Sequence, residues 1–241
     1  MSKYAQYTHG SLLGFIASWA NWISLITLIP IESVAAVQYM SSWPWSWAKW
    51  TQSFMANGSI TSEGLLAVFF FIAVFTLLNY WSVELLTNFT SLISVFKIGV
   101  PLLTIIMLTM SGFHPENYGT SLHEFMPYGT APIFAATTVS GIIFSFNAFQ
   151  TVINMGSEIE NPKRNIGRGI VYSLLISGVL YILLQSTFIT ALKPDMIAAS
   201  GWHGINFASP FADLAILLGI HWLSVLLYMD AFVSPFGTGV S

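Results

Sequence analysis

Charge is scarce in this chain: Asp, Glu, Lys and Arg together make up 7% of its 241 residues. A soluble domain carries about a quarter. A chain this poor in charge cannot cover a water-facing surface, so it reads as an integral membrane protein. Cysteine is absent, which excludes a disulfide framework and thiolate metal sites. The net charge is −3 and no basic cluster of the phosphate-neutralising kind is present, so no nucleic-acid partner is expected. His9, His114, His123 and His203 are scattered through loops without metal-ligand spacing. No nucleophile–base pair or Gly-rich phosphate loop is visible, so neither an enzyme nor a metal or cofactor site is expected. The first residues lack a basic n-region, a compact apolar core and a small-residue cleavage site, so no cleavable signal peptide is expected.

What the chain has instead is apolar length. Hydrophobic residues make up 55% of it and its mean hydropathy is +0.71. The apolar runs predict an all-α membrane protein with about six spans, near 11–40, 64–83, 87–111, 132–156, 168–191 and 210–233. Together they are read as one domain over 1–241. The first run is long for a bilayer roughly 30 Å thick and must tilt or project. After it comes SSWPWSWAKW, where Trp43, Trp45, Trp47 and Trp50 beside Lys49 read as an interfacial aromatic anchor, with substrate contact as the other reading. Lys3, Lys163, Arg164 and Arg168 fall on one side of the membrane and Lys49 and Lys193 on the other, which predicts a cytoplasmic N-terminus. The segment 192–209, broken by Pro194, Gly201 and Gly204, then reads as an external hairpin or lid.

Ionisable and polar groups inside such runs are costly, and they mark function by default. Glu32 follows Pro30 within the first span. An internal hydrogen bond, a proton or substrate site, and a position nearer the external interface are all open readings. Lys97 lies among Val95, Phe96, Ile98 and Val100, where it either carries a proton or snorkels to the cytoplasmic face. Pro101 removes the donor that would pair with the Lys97 carbonyl. In the last run Asp230, Ser234 and Thr238 fall four apart, on one face of a helix that survives Pro235. Their oxygens could bind a small cation or a proton, or cap helix ends. Between 144 and 168, FSFNAFQTVINMGSEIENPKRNIGR places Ser145, Asn147, Gln150 and Asn154 at membrane depth, ahead of a basic, proline-bearing loop. An unwound helix exposing backbone to a solute and an ordinary helix with interhelical hydrogen bonds both fit this stretch.

At GSEIENPKRNIGRGI the chain resembles the amino acid–polyamine–organocation (APC) superfamily, whose members carry an acidic, Asn-Pro, basic signature after their sixth span. Here Glu158, Glu160, Asn161, Pro162, Lys163 and Arg164 occupy it. GFIASWANWISLITLIPIESVAAVQYM resembles the family's third span, LNYWSVELLTNFTSLISVFKIGVPLLTI its fourth-to-fifth junction, and DAFVSPFGTG its eighth span. The resemblance covers essentially the whole chain.

It implies an inverted-repeat transporter with a substrate site between broken first and sixth helices. Phe144, Ser145 and Phe146 would present carbonyls to the substrate, Phe149 would gate it, and Gln150 would stand beside it. Lys97 would occupy the place that sodium takes in relatives, with Glu32 assisting proton coupling. Ser234, Thr238 and Asp230 would be the candidate cation site. Two departures bear on this. Ala148-Phe149-Gln150 replaces the family's Gly-Phe-acid, which favours helix at the break by up to about 1 kcal/mol and removes a charge. Nothing matches the family's first two spans, and the sequence stops within SPFGTGVS.

The expectation is therefore proton-coupled amino acid symport by alternating access, with Na+ in place of H+ left open as coupling ion, in a fragment that does not transport alone. A non-transporting membrane module that docks a partner or senses a ligand is the competing reading.

Overall fold

A computed structural model describes residues 2–81, 83–138, 142–146 and 159–239. In chain order its helices are α1 (Ser2–Ile26), α2 (Leu28–Ser41), α3 (Ser62–Trp81), α4 (Val83–Ser111), α5 (Leu122–Phe125), α6 (Ala131–Thr138), α7 (Pro162–Ala191), α8 (Pro194–Ser200), α9 (Pro210–Leu217) and α10 (His221–Gly239). Short 3-10 turns and one two-stranded ribbon, Met55–Ala56 with Ser59–Ile60, connect them. Among the described residues three helical stretches are long and apolar enough to cross a membrane: Ala5–Ser41, Ile93–Ser111 and Pro162–Ala191. Ser62–Leu78 is a shorter apolar helix. Apolar side chains on these helices are largely exposed, among them Leu66, Phe69 and Phe70 of α3 and Ile176 and Ile182 of α7. Lipid solvates such faces, so inward burial need not drive these helices together.

The chain divides into two compact units. One comprises Met1–Asn21 with Gly112–Asp195, the other Trp22–Ser111 with Met196–Ser241.

In the first unit the end of α7 is fastened by the loop before α5. His114 donates its backbone N–H to the Thr190 carbonyl at 2.7 Å. Asn117 Nδ2 donates to the carbonyls of Ile189 and Leu192 at 2.8 and 2.9 Å. One side chain thus satisfies two carbonyls that a helix end leaves unpaired. A capping box starts α5: the Glu124 amide donates to the Ser121 hydroxyl, and the Glu124 carboxylate reaches back to the Ser121 amide. The Thr120 amide, its hydroxyl and the Ser121 amide hold the Glu124 carboxyl below its ordinary range.

In the second unit α10 packs against α2, α4 and α9. The core is aromatic. Phe75 is fully buried and meets Phe236 edge-on at 5.0 Å, while Phe71 contacts both Phe232 and Phe236. Trp43 is also buried, against Phe232 at 5.3 Å. It is therefore a core residue, whereas Trp47 and Trp50 are exposed as an interfacial anchor would be. Thr51 ties the tryptophan loop to the end of α2 by donating to the Met40 carbonyl at 2.6 Å.

Two runs differ from the sequence expectation. The run 210–233 is two helices, α9 and α10, with Gly219 between them at φ 76°, a conformation suited to glycine. The helix α10 passes through Pro235 to Gly239. In the run 132–156, Phe144–Phe146 is a 3-10 turn rather than α-helix.

Candidate functional site

A cleft of about 340 Å³ opens within the second unit, between α2, α10 and the start of α9. Glu32, Tyr39, Tyr228, Asp230, Ser209 and Ser234 supply its polar lining. Helical spacing explains the convergence. Glu32, Ala35 and Tyr39 recur at three and four residues along α2, and Leu227, Ala231 and Ser234 do so along α10, so each helix turns one face to the cleft. Glu32, which the sequence singled out apart from Asp230 and Ser234, thus shares one void with them.

Lys97 approaches from α4. It is half-buried and within electrostatic reach of both the Glu32 and Asp230 carboxyls. Its Nζ lies only 3.2 Å from where a Cβ would stand on Gly237 of α10, and Ile93 Cγ2 lies 2.6 Å from that point. The absent side chain at Gly237 is what lets α4 bring its ammonium against α10. Asp230 Oδ1 is buried without a hydrogen-bond partner. A buried carboxyl oxygen left unpaired costs about 1–3 kcal/mol or more, a cost expected where a proton or cation is exchanged.

A bracket on α9 closes the cleft rim. The Ser209 amide donates to Asp213 Oδ2 at 3.0 Å, the Tyr228 hydroxyl donates to Asp213 Oδ1 at 3.1 Å, and the hydroxyls of Ser209 and Ser42 meet at 2.8 Å. Sequence reading passed over Tyr39, Tyr228, Ser209 and Asp213. The only available signal was the helix start, with Pro210 at the first position and Asp213 in the first turn. Asp213→Asn keeps one acceptor and should lower the thermal midpoint less than Asp213→Ala, which strands both donors at about 1–3 kcal/mol. Melting curves of the two variants in one detergent measure the difference.

The expected substrate residues belong to the first unit. The Ser145 carbonyl accepts from the Tyr181 hydroxyl of α7 at 3.3 Å, and Phe146 meets the Tyr181 ring edge-on at 5.3 Å. Phe144 stands in the same 3-10 turn. Phe149 and Gln150 lie outside the described residues, as does the side chain of Thr238. Among the described residues no group of His, Asp or Glu has the arrangement of a metal site.

A sequence model of the family described as amino acid permease matches residues 1–241. The chain is 52% identical to the glutamate/serine transporter AimA of Bacillus subtilis (strain 168) over 241 residues, 100% of this chain and 44% of that protein. It is 37% identical to the aspartate-proton symporter of the same organism over 240 residues, 98% of this chain and 44% of the relative. A methylthioribose transporter from that bacterium is 29% identical over 233 residues, 90% of this chain and 46% of the relative. The chain thus spans under half the length of these curated relatives.

Proposed function

The chain belongs to the amino acid permease family, and from that premise we propose that it works in proton-coupled amino acid symport, with the Glu32–Asp230–Ser234 cleft beside Lys97 as the ion-coupling site. Its fold class is that of a multi-pass, all-α integral membrane protein. The observation that carries the proposal is the meeting of two carboxyls at one cleft, with a lysine in electrostatic reach of both, in a chain with 7% charged residues. Scattered charges of merely structural value would have no reason to converge.

In this reading Lys97 and Glu32 exchange a proton, and Asp230 and Ser234 hold the exchanged proton or a small cation. An ammonium opposite two carboxylates is neutralised in one state; protonation of a carboxyl releases that attraction and lets α4 and α10 shift. Such a change biases a two-state element, which alternating access requires. The backbone at Phe144, Ser145 and Phe146 meets the substrate, Phe149 shields it, and the N-terminus faces the cytoplasm. Gln150 leaves that position uncharged, which fits an acidic or small polar amino acid better than a dibasic one. The names of two relatives, a glutamate/serine transporter and an aspartate-proton symporter, support that substrate class.

The test is substrate-triggered proton movement. In vesicles that hold a pH dye and an uptake-competent polypeptide containing this sequence, external glutamate should acidify the lumen. Glu32→Gln should lose most of that signal. Glutamate entry with no lumenal acidification would remove proton coupling from the account.

A further inference from the structure

Helix α7 begins with Lys163, Arg164 and Arg168, all exposed. Lys163 and Arg164 in the first turn oppose the helix dipole, and Arg168 lies a turn further on, beyond its reach, so none of the three stabilises the helix through the dipole. Among the described residues no carboxylate forms an ion pair with any of them. Loop positions would satisfy the orientation rule equally well, so the placement on this helix asks for another explanation.

The helical period supplies one. At about 100° per residue, Arg164, Arg168, Tyr172, Leu175, Val179 and Ile182 fall within an arc of about 80°. Tyr172, Leu175, Val179 and Ile182 are 57–67% exposed. The contacts to Phe146 and Ser145 come from Tyr181, outside this arc, with Gly178 on that side too. The stripe therefore runs from two guanidiniums, past the exposed Tyr172, onto an open aliphatic track. From Tyr172 to Ile182 it extends about 15 Å, half of a hydrocarbon core roughly 30 Å thick. Its length and polarity match one leaflet of one phospholipid.

We propose that this stripe of α7 binds an anionic glycerophospholipid, with Arg164 and Arg168 on the phosphate and the aliphatic track along an acyl chain. The choice of headgroup follows from charge complementarity: two fork-shaped cations fit a phosphodiester that bears no compensating ammonium. A zwitterionic headgroup would set its own cation against the guanidiniums.

Native mass spectrometry of the full chain in neutral detergent tests this with added dioleoyl phosphatidylglycerol or dioleoyl phosphatidylcholine. Each basic group beside an anionic lipid strengthens binding about five-fold, so the wild type should prefer phosphatidylglycerol by about 25-fold. Arg164→Gln/Arg168→Gln should abolish the preference, and Arg164→Lys/Arg168→Lys, which keeps the charge, should retain most of it. Millimolar glycerol phosphate should not displace the lipid. Equal binding of both lipids, or a preference that survives the Gln pair, would overturn the proposal. So would displacement by glycerol phosphate, which would mark a soluble-phosphate site, and so would loss of the preference in a longer polypeptide whose other segments cover the stripe.

Discussion

Alanine at position 97 is expected to abolish pH-gradient-driven uptake and to lower stability as well. Removing Lys97 leaves the Glu32 and Asp230 carboxyls without the cation that interacts with both. Stripping one partner from a fully buried ion pair costs about 3–5 kcal/mol. Lys97 is half-buried, so screening reduces the expected loss to about 1–3 kcal/mol. The two effects should separate in a double variant. Lys97→Ala/Asp230→Asn removes the lone carboxylate facing Glu32 and should recover part of the thermal midpoint. It should not recover coupled uptake, because the exchanging group is still missing. If the single variant lowers neither uptake nor midpoint, Lys97 is a snorkelling lysine and its approach to α10 has no role in coupling.

The second large effect is expected at a residue with no side chain. Gly237→Val should cut uptake severely although it removes no ionisable group. A Cβ at Gly237 would stand 2.6 Å from Ile93 Cγ2 and 3.2 Å from Lys97 Nζ. Replacing a helical glycine by alanine gains at most about 1 kcal/mol in propensity, whereas overpacking costs about 1–3 kcal/mol. The clash therefore wins with alanine, and valine adds bulk on the same side. To relieve it, α4 must back away from α10 and take Lys97 with it. The expected signature is uptake that falls and loses its pH dependence while expression persists, with Gly237→Ala intermediate. Wild-type uptake and pH profile in Gly237→Val would mean that the close approach of α4 and α10 is irrelevant to coupling.

How much of this was legible in the sequence depends on how conspicuous each residue is against an apolar background. Glu32, Lys97 and Asp230 stand out because a charge inside an apolar run carries a cost that demands a reason. Ser234 joined them through its four-residue spacing from Asp230, which holds because α10 remains helical through Pro235. Tyr39, Tyr228, Ser209 and Asp213 stayed hidden, since a tyrosine, a serine or a helix-start aspartate near an interface is ordinary in any membrane protein. Only the packing of α2, α9 and α10 gathers them at one cleft.

The helices themselves were readable from apolar length, but their interruptions were not. Gly219 looks like any glycine in an apolar run, yet its positive φ separates α9 from α10. Trp43 looked like its neighbours Trp47 and Trp50, and its burial depends on Phe232, which lies 189 residues away along the chain. The segment at Phe144–Phe146 carried two readings, helix or unwound backbone, and its 3-10 geometry is not an α-helix. No proline marks that departure. It rests on local contacts such as the Tyr181 hydroxyl on the Ser145 carbonyl.

The most direct test is uptake of radiolabelled glutamate by proteoliposomes that hold an uptake-competent polypeptide containing this sequence. It should be run with an acidic exterior, with equal pH on both sides, and with an acidic exterior plus a protonophore. Accumulation above the external concentration only in the first condition, unchanged when choline replaces sodium, is the predicted result. Accumulation that ignores the pH gradient and follows sodium would contradict the assignment of Lys97 and its carboxyl partners to the proton.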